Sequence, residues 1–280
     1  PFEVNAAGYR STDNFIYCVN PKTYDLVRLD ADGNATVLRN LPLNRSLLYF
    51  AGDVSPDGRY LVLIGRRSLP MGVSVSADIA RVDLEDPNYA TTLSALNTNT
   101  SILDIAFHPV TEVLYGYDSN QQRLVRIDIN TATVSTPFPS IASPYLVGAL
   151  FFDAFANLFA YGSPDRDSDQ NSLYQINPET GRATLLTTGT PASSSDGCSC
   201  PYTIRLSKSV EPQSAPPCSN VEYTFTLVNS SRRTQTGLRL QDRLPADFSF
   251  MAVKSNPLGG TVESKPGDNI FTLTGLNLPS

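Results

Sequence analysis

The chain has 280 residues, of which 41% are hydrophobic and 17% are charged, and at roughly 150 residues per domain this length predicts two domains. Lys and Arg number 21 against 27 Asp and Glu, and a net charge of −6 has the wrong sign for a surface that neutralises phosphates, so we expect no nucleic-acid partner. No run of 18 apolar residues occurs, which argues against direct insertion into a membrane.

The residue types that are scarce or abundant in the sequence indicate the fold class and the kind of function. The sequence has 21 Pro, 17 Gly, 13 Tyr and 13 Phe, a composition of many turns and many strand-forming residues that predicts an all-β protein. It has one histidine, His108, and neither a G-x-S-x-G elbow nor a glycine-rich phosphate loop. We therefore expect that the chain is not an enzyme and interpret His108 as a structural residue.

Four segments in the first two thirds of the chain repeat one pattern, an alternating strand that ends in a hydrophobic residue followed by Asp or Asn, and then a polar turn. The segments are LVRLD from Leu26, IARVD from Ile79, LVRID from Leu124 and LYQIN from Leu173. Their last residues, at positions 30, 83, 128 and 177, lie 53, 45 and 49 residues apart. This spacing is typical of the blades of a β-propeller.

A second element recurs between these segments, namely two apolar strands joined by a short turn. It is found as NAAGYRSTDNFIYCV from Asn5, DVSPDGRYLVLIG from Asp53, DIAFHPVTEVLYGYD from Asp104 and GALFFDAFANLFAYG from Gly148. Each repeat then holds about four strands, which predicts a β-propeller of four to five blades over residues 1–200, incomplete at the N-terminus. The side chains expected to pack between blades are Leu61, Leu63, Phe107, Leu114, Leu150, Phe152, Leu158 and Phe159.

The composition changes between positions 187 and 219, where Ser, Pro and Gly dominate and three of the four cysteines occur. Strongly alternating segments follow, such as VEYTFTLVNSS from Val221 and DNIFTLTGL from Asp268. They predict an antiparallel β-sandwich over residues 201–280. An immunoglobulin-like sandwich takes roughly 100 residues, so we expect this one to be partial and the chain to be a piece of a longer protein.

Two segments carry a resemblance to known families. The segments LSKSVEP, VEYTFTLVNSS and TGLRLQDRLPADFSF resemble the immunoglobulin-like surface-repeat domain of unknown function numbered eleven, found in large bacterial adhesins and cell-wall proteins. The segments NAAGYRSTDNFIY, LVRLDADGNATVL and DGCSCP are similar to the propeller-like module that precedes such repeats in surface proteins of Bacteroidota. The resemblance implies an extracellular or cell-surface location, with the other domains of a long chain as partners.

The cysteines are candidates for disulfides, because a surface protein folds in an oxidising compartment. Cys200 with Cys218 is the preferred pair, and Cys18 with Cys198 would join the first blade to the end of the propeller. Cys18 and Cys198 stand where the relatives usually have Gly and Ala. Other pairings and unpaired thiols stay open, although a Cys198–Cys200 bridge would be strained.

One loop has oxygen-bearing side chains at every second position, as a calcium-binding loop does: Asp165, Asp167, Asp169 and Asn171. Gln170 and Ile176 stand where a helical calcium loop has its Gly and its bidentate Glu, so that template fails. A polar hairpin loop and a calcium-stabilised loop both stay open. Calcium is the one cofactor that the sequence raises.

Other polar and aromatic residues have structural interpretations. Asp53, Asp104, Asp153 and the repeat-end residues Asp30, Asp83 and Asp128 are expected to accept backbone amides. Lys208, Asn229 and Asp242 form the residue set of an intramolecular isopeptide bond, which we interpret as a packing pattern. A final group is a candidate platform for sugars or a packing group: Tyr115, Tyr117, Tyr145 and Tyr161.

Three functions are consistent with these features. The favoured one is a non-catalytic extracellular module of a large bacterial surface protein, acting in adhesion, presentation or surface assembly. The second is a carbohydrate-binding or carbohydrate-active propeller with surface glycans as partners. The third is a filament subunit that accepts a strand from a neighbouring subunit at an open sheet edge.

Overall fold

The computed structural model describes residues 3–69, 74–96, 98–168, 170–192, 195–200, 204–229 and 234–279. All regular structure in these ranges is β-strand, and none of them contains a helix that could span a bilayer. The chain divides into two compact units, residues 1–201 and 202–280. The chain is therefore all-β, and each unit is described by itself below.

In its described residues the first unit has four antiparallel sheets of four strands, each with its strands in chain order. The strands of the first two sheets are β1 (Asn5–Arg10), β2 (Phe15–Val19), β3 (Asp25–Leu29), β4 (Ala35–Asn40), β5 (Leu48–Val54), β6 (Tyr60–Ser68), β7 (Ser74–Asp83) and β8 (Thr91–Ala95). The strands of the next two are β9 (Ile102–Phe107), β10 (Leu114–Asp118), β11 (Arg123–Asp128), β12 (Thr133–Ser135), β13 (Leu146–Phe152), β14 (Leu158–Ser163), β15 (Ser172–Ile176) and β16 (Ala183–Thr188). Four-stranded sheets in this order have the form of propeller blades.

Buried clusters between successive sheets hold the first unit together, because a twisted sheet has two apolar faces that it cannot bury alone. One cluster joins sheets one and two, with Leu26 and Leu61 among its members. A second joins the opposite face of sheet two to sheet three, with Val62 and Ile105, and a third joins sheets three and four through Tyr117.

The predicted inter-blade side chains can now be placed. Those that are nearly or fully buried are Leu61, Leu63, Phe107, Leu114, Leu150, Phe152 and Leu158, which confirms the prediction for these seven. Phe159 is partly buried and stacks on Phe151, with 5.7 Å between the ring centroids.

The first strands of successive sheets lie side by side. A Cβ atom at Gly52 of β5 would lie 2.5 Å from the carbonyl oxygen of Ala6 in β1, so only glycine allows the two backbones to approach this closely. A short segment, residues 195–199, lies beside β13 of the fourth sheet: Ser195 contacts Gly148, and the Ser199 hydroxyl donates to the carbonyl of Phe152. This segment occupies the place next to β13 that the first strand of a further blade would take.

The described part of the second unit has two small antiparallel sheets. Its strands are β17 (Ile204–Glu211), β18 (Glu222–Asn229), β19 (Gln235–Arg243), β20 (Thr261–Val262) and β21 (Ile270–Leu278). β17 pairs with β18 along its full length, and β21 lies between β19 and β20. Phe225 of β18 stacks on Phe271 of β21 at 5.8 Å, so the two sheets share a core. The immunoglobulin-like topology stays a prediction.

Candidate functional site

Three carboxylates tie the first strands of the sheets to one another. Asp53 accepts the amide of Phe107 at 2.8 Å, and Asp104 accepts the amide of Leu150 at 2.6 Å. Each carboxylate also accepts the amide of the residue that follows it. A hydrogen bond therefore links β5 to β9 and β9 to β13 in the same way.

Asp196 makes the third link and connects the end of the unit to its beginning. Its Oδ2 accepts the amide of Ala7 in β1 at 3.0 Å, and its Oδ1 accepts the amide of Gly197 at 2.8 Å. Since the same segment packs on β13, residues 195–199 bridge the fourth sheet to the first. Five first-strand positions thus surround the centre of the unit, the fifth being this single segment.

The three carboxylates are close enough to influence one another's protonation. Burial raises the pKa of Asp53 to about 7 and that of Asp196 to about 6. Asp104 is fully buried, and its pKa rises well above the ordinary value through burial and the negative charge of Asp196. The backbone amides oppose these rises because they favour the charged carboxylates. The centre is thus an acidic cluster whose oxygens are already hydrogen-bonded.

The sequence-based interpretation of the aspartates is confirmed. Asp53 and Asp104 accept backbone amides as described, and turn amides donate to Asp30, Asp83, Asp128 and Asp153. Asp196 was missed, because it lies in a Ser-rich segment that reads as a linker. Its signal was the match between Asp196-Gly197 and Asp53-Val54 or Asp104-Ile105, in which an Asp is followed by a small or β-branched residue.

The cysteines are thiols in the structure, which contains no disulfide among them. Cys18 is fully buried in β2 and donates to the carbonyl of Val27 at 3.6 Å, and Cys200 lies beside the Tyr9 hydroxyl. Burial raises the pKa of Cys198, and the charges of the three central carboxylates and Cys18 raise it further. Cys18 and Cys198 are thus neighbours at the centre of the unit, as their predicted pairing requires, but the bond is not formed. Cys218 is exposed in the second unit, and its predicted bond to Cys200 is likewise not formed.

The predicted calcium loop is only partly described, since Asp169 lies outside the described residues. Asp165 accepts the amide of Asp167 at 3.0 Å, and the buried Asn171 donates its side-chain amide to the carbonyl of Ala192 at 3.2 Å. Across the described ranges, no three His, Cys, Asp or Glu side chains converge as metal ligands would. Calcium binding by Asp165, Asp167, Asp169 and Asn171 stays a prediction.

His108 and two of the candidate tyrosines have structural positions. The ring nitrogen Nδ1 of His108 accepts the amides of Val110 and Thr111, and burial lowers the pKa of the ring. Tyr115 and Tyr117 are 4% and 0% exposed, so for these two the packing interpretation is confirmed and the sugar platform is not. They face the core because both side chains pack between the third and fourth sheets.

The other two candidate tyrosines are partly accessible. Tyr145 and Tyr161 are partly buried, and the Tyr161 hydroxyl donates to the carbonyl of Thr190 at 3.0 Å.

Two of the three candidate isopeptide residues meet. The Lys208 ammonium donates to Asp242 at 2.6 Å and lies 4.2 Å from the ring centroid of Tyr223. Asn229 instead donates its side-chain amide to the carbonyls of Leu278 and Pro279. The third member therefore faces another strand, and Lys208 and Asp242 form an ion pair beside the rings of Tyr223 and Phe225 rather than part of a reacting triad.

A pocket of about 410 Å³ lies on the second sheet and on the segment that connects it to the first. Asn44, Ser46 and Leu47 line it from the connecting segment, and Asp78 lines it from β7. Asp78 is only 7% exposed, and its carboxylate lies against the Tyr49 hydroxyl and the backbone of Gly65. Leu47 and Leu93 form the apolar part of its wall, so the pocket has both polar and apolar lining.

A comparison with models of known protein families finds one match, which covers the first unit. The family described as a repeat of unknown function (DUF6923) matches residues 1–202. The chain belongs to this family. The match covers the four sheets and the closing segment of the DUF6923 region, and a comparison with curated proteins finds no significant match.

Solved structures with a similar backbone include several enzymes and a nidogen–laminin complex. An aldose sugar dehydrogenase from Streptomyces coelicolor in its PQQ-bound form is 16% identical, with a TM-score of 0.46, and the match covers 80% of this chain and 82% of that one. A nidogen–laminin complex is 15% identical, with a TM-score of 0.49 and coverages of 70% and 68%.

An inactive variant of virginiamycin B lyase from Staphylococcus aureus, with quinupristin, is 14% identical, with a TM-score of 0.44. This match covers 68% of the DUF6923 chain and 57% of the lyase. A separate match, to an oligogalacturonate lyase in complex with manganese, covers 54% of that protein. The chain thus spans less than two thirds of the length of these two proteins.

Proposed function

We propose that the chain is a non-catalytic extracellular module of a large bacterial surface protein, in which the four-sheet unit serves as a rigid scaffold for binding or presentation. The observation that carries the proposal is the use of the central carboxylates. Asp53, Asp104 and Asp196 each accept two backbone amides. Their oxygens therefore join strands instead of standing free for acid–base chemistry on a substrate.

The polar groups that sequence reasoning raised as chemical candidates support the same conclusion. His108 accepts two turn amides at its Nδ1, and Lys208 is paired with Asp242. A glycosidase needs two carboxyl groups about 5 to 9 Å apart that both reach the substrate. The acids of the first unit instead stabilise its turns and its centre, which favours a structural role over catalysis.

The extracellular part of the proposal rests on the resemblance of both segments to surface-protein modules and on the low charge content of 17%. We expect proteinase added to intact cells to remove the protein, while a cytoplasmic marker in the same cells stays whole. Protection of this chain until the cells are lysed would contradict the proposed location.

The non-catalytic part is tested by activity assays on the 280-residue chain. We expect no new reducing ends from a panel of bacterial and host polysaccharides between acidic and neutral pH. Asp53→Asn and Asp104→Asn serve as matched variants. Glycan cleavage that both variants abolish while they keep the wild-type fold would show that the central acids are catalytic and would overturn the proposal.

A further inference from the structure

The closing segment of the first unit, residues 195–199, presents alternate side chains to the two sheets that it joins. Ser195 and Ser199 contact β13 of the fourth sheet, and a Cβ atom at Gly197 would lie 3.0 Å from the Cβ atom of Ala149 in the same strand. Because side chains alternate along an extended segment, the residues between these positions project to the opposite side. The even-numbered positions of the closing segment therefore face the first sheet.

The two residues of the closing segment that face the first sheet are Asp196 and Cys198. Asp196 accepts the amide of Ala7 in β1. Cys200, which follows the closing segment, lies beside the Tyr9 hydroxyl in the same strand. The segment therefore runs alongside β1, and Cys198 lies between these two contacts.

The first sheet presents a second cysteine at this place. Tyr17 and Val19 of β2 belong to the cluster shared with the second sheet, so Cys18 between them projects from the opposite face of the first sheet. The pairing of β1 with β2 is interrupted beside Cys18 by a bulge that contains Ala7, the residue that anchors the closing segment. Cys18 is fully buried there. Cys18 and Cys198 are thus neighbours, one on the first sheet and one on the closing segment.

The surroundings of the two thiols suppress the thiolate form. Burial, with a contribution from the charge of Asp196, raises the pKa of Cys18 to about 12. Burial also raises the pKa of Cys198, and the charges of Asp53, Asp196 and Asp104 raise it further. Thiol–disulfide exchange starts from a thiolate, so neither thiol reacts readily while the closing segment is docked.

We propose that Cys18 and Cys198 form a disulfide that fastens the closing segment to the first sheet, and that the bond forms before this segment is fully docked. The oxidant is a low-molecular-mass disulfide such as glutathione disulfide. The Cys198 thiolate attacks one sulfur of the oxidant, which breaks the oxidant's sulfur–sulfur bond and releases one thiol. The Cys18 thiolate then attacks the Cys198 sulfur of the mixed disulfide and releases the second thiol. The two cysteines thereby lose two electrons and two protons, and the oxidant is reduced to two thiols.

The proposed bond joins the beginning of the first unit to its end. It closes a loop that contains almost all of this unit, and a cross-link between distant positions restricts the unfolded chain most. Formation of the bond in the organism rests on the extracellular location proposed above, because that compartment is oxidising. The pairing itself is tested on the purified chain, so the two proposals can fail separately.

The test is refolding of the 280-residue chain from urea in a mixture of glutathione and glutathione disulfide, followed by alkylation of the remaining thiols and peptide mass spectrometry without reduction. We expect a linked pair of peptides that contain Cys18 and Cys198. The oxidised chain should melt at least about 5 °C higher than the chain refolded in reductant. Free thiols at Cys18 and Cys198 in the refolded chain, or linkage mainly through any other pair, would overturn the proposal.

Variants assign the gain in melting temperature to this bond. Cys18→Ser and Cys198→Ser should each lose the linked peptides and the gain. The matched control is the double variant Cys200→Ser/Cys218→Ser, which should keep both. The wild-type comparison of oxidised with reduced chain tests the proposal even if a serine variant fails to fold. A gain that persists in folded Cys18→Ser protein would contradict it.

A second measurement tests when the bond forms. Glutathione disulfide added to the reduced, folded chain should produce the Cys18–Cys198 bond at least about tenfold more slowly than refolding in its presence, because the docked thiols are protonated and buried. Equal rates would show that the docked closing segment does not shield the thiols, and would overturn the proposed order of events.

Discussion

The carboxylate of Asp53 accepts the backbone amide of Phe107 across 2.8 Å, and this bond joins the first strand of the second sheet to the first strand of the third. Because the two residues are 54 positions apart, the bond stabilises the contact between sheets and not a local turn. We expect Asp53→Ala to destabilise the first unit by about 1–3 kcal/mol, since two amides lose their acceptor. The measurement is urea unfolding at mildly acidic pH, where repulsion among the carboxylates is smallest. A stability equal to that of the wild type would show that the bond is dispensable.

The central carboxylates make the stability of the first unit depend on pH. Folding raises the pKa of Asp53 to about 7 and that of Asp196 to about 6, from an ordinary value of 3.8. Between about pH 4 and pH 7 the folded chain therefore binds more protons than the unfolded chain, and stability falls as the pH rises through this window. We expect a higher melting temperature at pH 5 than at pH 8. Asp53→Asn and Asp196→Asn should each flatten the dependence, and a wild-type protein that is more stable at pH 8 would contradict this assignment.

Close approach of β1 and β5 makes Gly52 sensitive to substitution. A methyl group there would lie 2.5 Å from the carbonyl oxygen of Ala6, which is backbone and cannot turn away. We expect Gly52→Ala to lower the free energy of unfolding by about 1–3 kcal/mol through overpacking. Thermal unfolding followed by circular dichroism measures the change. An unchanged melting temperature would mean that the two strands separate at little cost.

The thiols should differ widely in reactivity. Burial raises the pKa of Cys18 to about 12, whereas Cys218 is exposed. Because the thiolate is the nucleophile, we expect Cys218 to react with iodoacetamide at least about tenfold faster than Cys18 in the folded protein. Peptide mass spectrometry after timed alkylation gives both rates, and unfolding in urea should equalise them. A sulfur–sulfur bond in the purified protein would instead remove two of the thiols from reaction.

The ion pair of Lys208 and Asp242 is expected to be noncovalent. Asn229 donates to the carbonyl of Leu278 instead of facing Lys208, so the chain lacks the arrangement for releasing ammonia. Intact mass spectrometry should therefore give the full sequence mass, without a deficit of about 17 or 18 Da. Lys208→Met should cost no more than about 1 kcal/mol, because partly exposed ion pairs contribute little. A mass deficit that Lys208→Met removes would demonstrate a covalent bond.

Much of the first unit was predictable because its signals are local. The alternating strands and the residues that end them, at positions 30, 83, 128 and 177, follow from side-chain periodicity and turn chemistry, which depend on neighbours in the chain. The same is true of the aspartates that accept turn amides. Burial of Leu61 and Leu150 also follows from the sequence. Each lies in a continuous apolar run, which is typical of a strand that is buried on both faces.

The tertiary structure alone decided the features that join distant segments. Asp196 reads as part of a polar linker until its carboxylate meets Ala7, which is 189 positions away. For Tyr115 and Tyr117 the sequence left a sugar platform and a packing role both open, and only the packing of the fourth sheet decides between them. The pocket at Asp78 depends on three strands of the second sheet and on the segment that precedes β5. Sequence by itself determined which residues form strands and turns, and packing between sheets determined which face each strand buries, because that choice depends on contacts absent from any single segment.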